Sequence, residues 1–168
     1  MSNNMKLRPA TKKDYDVLFE LFNEIQTLHY ETRPDIFKPA KKDQLFFEYF
    51  EKVIQGEDNH LILGFEDDEP FGYIYYVIRQ LPENIYRPAE RIVYINHILV
   101  KKSHQGKGYG RALSDHVRDI AQKENINKIG LDVWVFNENA IKFFQNQGFS
   151  AHNQIMWHAL KSDNRKQS

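Results

Sequence analysis

The chain contains a strand-like run that leads directly into a glycine-rich turn and then into a helical pattern. Residues 92–100, IVYINHILV, are nearly all apolar or β-branched, which is typical of a strand buried on both faces. Gly106, Gly108 and Gly110 follow, and apolar residues then recur at helical spacing. Glycine lets a backbone approach a ligand closely, and a helix N-terminus carries partial positive charge. The segment therefore predicts a phosphate site at the start of a helix.

Two common phosphate loops do not fit these residues. A P-loop requires Lys and then Ser or Thr after its second glycine, but Gly108 is followed by Tyr109. The dinucleotide fingerprint places glycine or alanine at position 111, where this chain has Arg111. The structural alternative is a flexible glycine loop without a ligand. The buried strand before it and the basic neighbours Lys107 and Arg111 favour the phosphate site.

The predicted elements indicate an α/β fold with a largely antiparallel first half. Helical patterns cover 12–30, which Thr11 and Asp14 would cap, and 42–55. The order continues with the strands HLILGFE and FGYIYYVIR around a DDEP turn, the run at 92–100, a helix and the strand KIGLDVWV. The helix NENAIKFFQNQG follows, with Asn137 as its cap and Gly148 as its C-terminal stop, and FSAHNQIMWHAL gives one or two closing strands. We expect a single domain over residues 1–168, with an ordered core at about 5–161.

Composition excludes several classes of protein. Lys plus Arg and Asp plus Glu number 23 each, so no net charge indicates a nucleic acid or an anionic membrane as partner. The absence of cysteine excludes disulfide scaffolds, thiolate zinc sites and a cysteine nucleophile. The histidines lack the close spacing of metal ligands, so we expect no metal. No apolar segment is typical of a signal peptide or membrane span, which predicts a cytoplasmic protein.

Two motifs resemble those of the GNAT superfamily of N-acetyltransferases. QGKGYG has the form Gln/Arg-x-x-Gly-x-Gly/Ala, and NENAIKFFQNQGF is similar to Asn-x-x-Ala-x-x-Phe/Leu-Tyr-x-x-x-Gly-Phe. The second motif matches at Asn137, Ala140, Phe143, Gly148 and Phe149. The motifs have the expected order and spacing, and the element order fits over residues 6–160. The resemblance implies a mixed, mostly antiparallel twisted sheet flanked by helices, which splits into a V after the central strand.

The resemblance also implies where acetyl-CoA binds as cosubstrate. The pantetheine arm would pair with the central strand, and the backbone of the glycine turn would wrap the pyrophosphate. The second motif would line the far side of the cofactor. The implied residues are Ile98, Leu99, Val100, Gln105, Gly106, Lys107, Gly108, Tyr109, Gly110, Arg111, Asn137, Ala140 and Phe144.

Acetyl transfer requires a group that takes the proton of the amine, and the central strand offers two polar candidates. Asn96 cannot act as a base but can orient a water, whereas His97 can accept a proton near neutral pH. Because strand side chains alternate between faces, we expect only one of them to face the substrate, and we favour His97. The alternative is a buried, hydrogen-bonded histidine without chemistry. The family's frequent thiolate-protonating tyrosine falls at Phe144, so the sequence names no general acid.

The loop LHYETRPDIFKP is the expected cover of the acceptor site. His29, Tyr30 and Arg33 are the substrate-binding candidates, and the alternative for Arg33 is a pair with Asp35 that closes the loop on itself. Trp134 and Trp157 are expected in the core.

These features favour a small-molecule amine N-acetyltransferase. The alternatives are a protein lysine or N-terminal acetyltransferase and a non-catalytic acyl-CoA-binding module. A homodimer is compatible with the sequence, although no residue pattern requires one.

Overall fold

The computed structural model describes residues 4–160 in two compact units, which belong to Met1–Phe136 and Asn137–Ser168. The first unit contains strands β1 Met5–Pro9, β2 Asn59–Glu66, β3 Glu69–Leu81, β4 Glu90–Val100 and β5 Ile129–Leu131, and helices α1 Tyr15–Thr32, α2 Gln44–Gln55 and α3 Tyr109–Lys123. Short 3₁₀ helices lie at Lys12–Asp14 and Lys102–His104. The second unit contains helix α4, Glu138–Asn146. Among the described residues, no helix has the length and apolar character needed to cross a membrane.

The five strands form one sheet in the order β1-β2-β3-β4-β5. The first four strands pair antiparallel, and β5 joins β4 in parallel. The predicted mixed, mostly antiparallel sheet flanked by helices is therefore confirmed. β4 pairs with β3 along its length but with β5 only at Val93–Ile95. Beyond Ile95, the described chain places no strand beside the edge of β4 that faces away from β3. This unpaired edge is the split in the sheet.

The two faces of the sheet carry different helices. Tyr73 of β3 packs in a core with residues of α1 and α2, among them Leu18, Leu21, Phe46, Phe50 and Val53. Tyr76 points to the opposite face, because strand side chains alternate, and its ring lies 6.2 Å from that of His116 on α3. Helices α1 and α2 therefore cover one face, and α3 covers the other.

Several local predictions are confirmed. Thr11 and Asp14 form a capping box, although the first turn after it is 3₁₀ and α1 begins at Tyr15. The DDEP segment turns the β2–β3 hairpin through Asp67 and Asp68, both with positive φ (47° and 67°), as in the turns that suit the twist of a hairpin.

Three expectations were wrong. Residues 149–160 form no strand, because apolar and polar alternation does not make a strand without a neighbour to complete its ladder. On β4, Val93, Ile95 and Leu99 are buried, but the intervening side chains are partly exposed, so the strand is not buried on both faces. Trp134 and Trp157 lie outside the core, with 44% and 91% of their surfaces exposed. The predicted end of the ordered core, residue 161, lies outside the described residues.

Candidate functional site

Strand β4 carries one extra residue at Asn96. Tyr75 of β3 pairs with His97, but the next residue, Tyr76, pairs with Ile95. Asn96 is therefore the unpaired residue of a β-bulge, a feature that re-aims side chains next to active sites. Regular alternation would place only one of Asn96 and His97 on the substrate side, and the bulge interrupts that alternation.

The side chains of Asn96 and His97 lie on the same face of the sheet. Tyr94 pairs with Val77, two residues beyond the partner of His97, so Tyr94 and His97 share a face. Arg79 lies over the Tyr94 ring, with its guanidinium carbon 3.8 Å from the ring centroid. The same guanidinium donates a hydrogen bond to Oδ1 of Asn96 at 3.2 Å. Arg79 thus holds the bulged side chain beside His97.

His97 occupies an aromatic environment beneath α1. A hydrogen bond of 3.1 Å joins its Nδ1 to the hydroxyl of Tyr73, a residue with no exposed surface, and fixes the orientation of the imidazole. The ring of Phe22 on α1 lies nearly parallel to the imidazole, at an angle of 13° and a centroid distance of 6.5 Å. Burial and the nearby His29 lower the pKa of His97 below its usual 6.5. The imidazole is therefore neutral at pH 7 and able to accept a proton.

The open edge of β4 presents main-chain groups from two residues. The Lys101 N–H donates to a β3 carbonyl at 2.8 Å, so alternation places the groups of Leu99 in the β3–β4 ladder as well. The N–H and C=O groups of Ile98 and Val100 therefore face the split. The Val100 carbonyl accepts a hydrogen bond from Gln105 Nε2 at 3.0 Å, which ties the strand to the glycine turn.

The glycine turn provides an open backbone surface at the start of α3. Gly106 and Gly108 have φ values of 77° and 90°, which L side chains rarely adopt. The described chain places no heavy atom within 4 Å of a Cβ built on either glycine, so the space beside the turn is empty of protein. Gly108 is the N-cap of α3, and no side chain caps the helix. Among residues 4–160, the exposed Lys107 and Arg111 form no ion pair.

Tyr109 and Gly110 form the first turn of α3. The Tyr109 ring is buried and stacks on Phe71 with centroids 4.3 Å apart, and its hydroxyl donates a hydrogen bond to Glu66. The side chain of Tyr109 therefore anchors the helix in the core, and its backbone is the part that lies in the turn.

The second unit contains the residues of the second motif. Oδ1 of Asn137 accepts a hydrogen bond from the Ala140 N–H at 3.1 Å, which confirms the predicted N-cap of α4. Gly148, with φ 88°, follows the C-terminus of α4, as predicted for a helix stop. Phe144 is buried between Phe143 and Phe149, at centroid distances of 5.1 and 5.4 Å. These contacts place the Phe144 ring in the packed interior of the second unit.

The three predicted acceptor residues have different surroundings. Arg33 binds Asp35 through two hydrogen bonds of 2.8 and 2.7 Å, so the loop is closed on itself as in the structural alternative. Tyr30 is 37% exposed on α1. His29 is partly buried, and its pKa is lowered by burial. Since His29 also contributes to the lowered pKa of His97, it is the acceptor candidate that lies near that histidine.

An aromatic cluster surrounds His29. Phe37 lies 4.8 Å from the His29 ring and 5.0 Å from that of Trp134, and Phe136 lies 5.6 Å from His29. The sequence pattern did not indicate this cluster, nor that Phe22 and Tyr73 lie beside His97. The available signal was the density of aromatic residues in the α1–α2 loop and after β5, although periodicity does not reveal which distant rings meet.

Comparison with known proteins agrees with this geometry. The family model described as acetyltransferase (GNAT) family matches residues 18–149. A tetramutant of the BH1408 protein from Bacillus halodurans is 27% identical, with a TM-score of 0.86 over 92% of this chain and 99% of that chain. Aminoglycoside N-acetyltransferase AAC(6′)-Iy in complex with CoA is 16% identical, with a TM-score of 0.74 over 96% and 97% of the two chains, and this likeness concerns the fold. The chain therefore belongs to the GNAT acetyltransferase family and is an acetyl-CoA-dependent acyltransferase.

Proposed function

We propose that the protein transfers the acetyl group of acetyl-CoA to the primary amine of a small molecule, with His97 as the base. The amine nitrogen bonds to the thioester carbonyl carbon, the carbon–sulfur bond breaks, the amine proton passes to His97, and CoA leaves as a thiolate. The observation that carries the proposal is the setting of His97. It is a neutral imidazole, oriented by Tyr73, beside the open edge of β4.

The cofactor residues support this assignment. The empty space beside Gly106 and Gly108, and the uncapped start of α3, suit a pyrophosphate, and Lys107 and Arg111 add positive charge. The Ile98 N–H faces the split and is the candidate donor to the oxyanion that develops on the thioester carbonyl.

The side chains that cover His97 favour a small acceptor over a polypeptide. Phe22 of α1 lies over the imidazole, and His29 with its aromatic cluster lies nearby. An extended peptide requires an open surface at the reacting group, whereas Phe22 covers the imidazole on the side of α1. Acetylation of a protein lysine or N-terminus and a non-catalytic acyl-CoA-binding role are the alternatives. The cytoplasmic location and the homodimer stay predictions from the sequence.

Thiol release from acetyl-CoA, measured over a panel of amines and peptides, tests the proposal. We expect turnover with a small amine and a loss in kcat of about 100-fold or more in His97→Gln, which is the usual contribution of a general base. Turnover with peptides alone would support the protein acetyltransferase. Tight acetyl-CoA binding without turnover on any acceptor would support the binding module.

The pH dependence separates a base from a structural histidine. Because the pKa of His97 is lowered from 6.5, its neutral form persists at pH 7 and is lost only below that value. Protonation of the free amine affects the wild type and His97→Gln equally, so its effect cancels in the ratio of their activities. We expect this ratio to be constant above pH 7 and to fall below pH 6.5. A ratio independent of pH would exclude His97 as the base.

A further inference from the structure

A groove lies between α1, α2 and the loop of residues 33–43 that joins them. It has a volume of about 540 Å³, within the range of pockets that hold small molecules. Its walls are mainly aromatic and apolar, and include Phe22, Leu45, Phe46, Tyr49 and Phe50. Leu45 and Tyr49 are 69% and 44% exposed, so apolar surface is available at the groove.

One wall of this groove reaches the imidazole of His97. Phe22 lines the groove and also lies nearly parallel to the imidazole, at a centroid distance of 6.5 Å. Phe22 therefore connects the groove to the proposed catalytic histidine.

The charged residues that line the groove are two lysines and one aspartate, Asp43. Lys38 and Lys41 line it, and neither forms an ion pair within the described part of the chain. The carboxylate of Asp43 accepts a hydrogen bond from the Phe46 N–H at 3.3 Å and so caps α2. Asp43 offsets only one of the two lysines, so an acceptor with several ammonium groups would meet a net positive charge in the groove.

The surroundings of His97 agree with this charge pattern. Burial and His29 both lower the pKa of His97, whereas a carboxylate placed to hold an ammonium group beside it would raise that pKa. The ring of Phe22 supplies apolar surface beside His97, and the rings of Phe37 and Phe136 supply it beside His29.

We infer, on the basis of the proposed function, that the acceptor is a monoamine with an aromatic or branched apolar body and no second positive charge. The body lies in the groove between α1 and α2, and the amine reaches His97 past Phe22. This class differs from aminoglycosides and polyamines, which carry several ammonium groups.

The experiment measures thiol release by the full chain with acetyl-CoA and matched acceptors. Phenylethylamine and tryptamine represent the inferred class, and spermidine and kanamycin represent polycations. We expect kcat/KM at least about tenfold higher for the aromatic amines, since one charge conflict is worth roughly that factor. The double variant Lys38→Glu/Lys41→Glu is expected to raise kcat/KM for spermidine about tenfold more than for phenylethylamine, because spermidine carries more ammonium groups. Lys13→Glu, at an exposed lysine of the first 3₁₀ helix, is the matched control.

The outcomes separate this inference from the proposed function. Turnover of spermidine or kanamycin in preference to aromatic amines would overturn the inference and keep the small-molecule function. Turnover of peptides alone would overturn both. If no acceptor is turned over, binding of the same amines to the CoA-loaded protein, followed by thermal unfolding, decides the matter. Stabilisation by tryptamine but not spermidine supports the inference, and the reverse pattern or no stabilisation overturns it.

Discussion

Gly108→Ala separates the conformational role of the glycine turn from its role in ligand binding. Gly108 has a φ of 90°, and a Cβ there meets no described heavy atom within 4 Å, so the expected loss of stability comes from backbone conformation alone. A non-glycine residue in this region costs about 1–2 kcal/mol, part of which is offset by the lower entropy of the unfolded chain. The expected net loss is about 1 kcal/mol, or a fall in Tm of about 2–4 °C for a chain of this length.

Gly148→Ala is the matched control, because Gly148 has a φ of 88° and equally open surroundings. Both variants should lose the same free energy of unfolding in urea titrations. Only Gly108→Ala should lose affinity for acetyl-CoA, since its methyl group enters the space proposed for the pyrophosphate. Loss of one hydrogen bond to a charged group is worth about 2 kcal/mol, or about 30-fold in Kd by calorimetry. Equal Kd values for both variants and the wild type would refute the assignment of the turn.

Other changes test the fold and the chemistry. Arg8 and Thr11 hold the pKa of Asp14 at about 2, below its usual 3.8, so the ionised carboxylate contributes about 2 kcal/mol of stability above pH 4. Because this pKa is lowered on folding, the contribution is lost as pH falls from 3.8 towards 2. In urea titrations at pH 7, Asp14→Asn should therefore be less stable than the wild type by about 2 kcal/mol. At pH 2 the two proteins should have nearly equal stability, and a difference that does not change with pH would contradict the reasoning. Phe144→Tyr restores the hydroxyl at the family's tyrosine position, and a several-fold rise in kcat would indicate that the thiolate lacks an acid, whereas an unchanged kcat would show that none is needed.

Local features of the site could be predicted from the sequence. The glycine turn, the Asn137 cap and the Gly148 helix stop depend on the conformations that one residue type allows and on hydrogen bonds within one turn. The hairpin at Asp67 and Asp68 depends on local turn geometry in the same way. The order of the elements up to α4 could be predicted because it also depends on local sequence patterns. The closing strands could not be predicted, because a strand requires a neighbouring strand to pair with.

The environment of His97 was decided by the tertiary structure. Its bond to Tyr73 joins residues 24 positions apart, and the bulge at Asn96 arises from how β3 and β4 are paired. The tertiary structure also places Phe22 over the imidazole. It forms the aromatic cluster around His29, which joins α1, a loop and the segment after β5. The sequence alone determined where the backbone turns and where a helix begins without a side-chain cap, because those properties are local. Register and packing decided which side chains surround His97, because those contacts form only when distant segments are brought together.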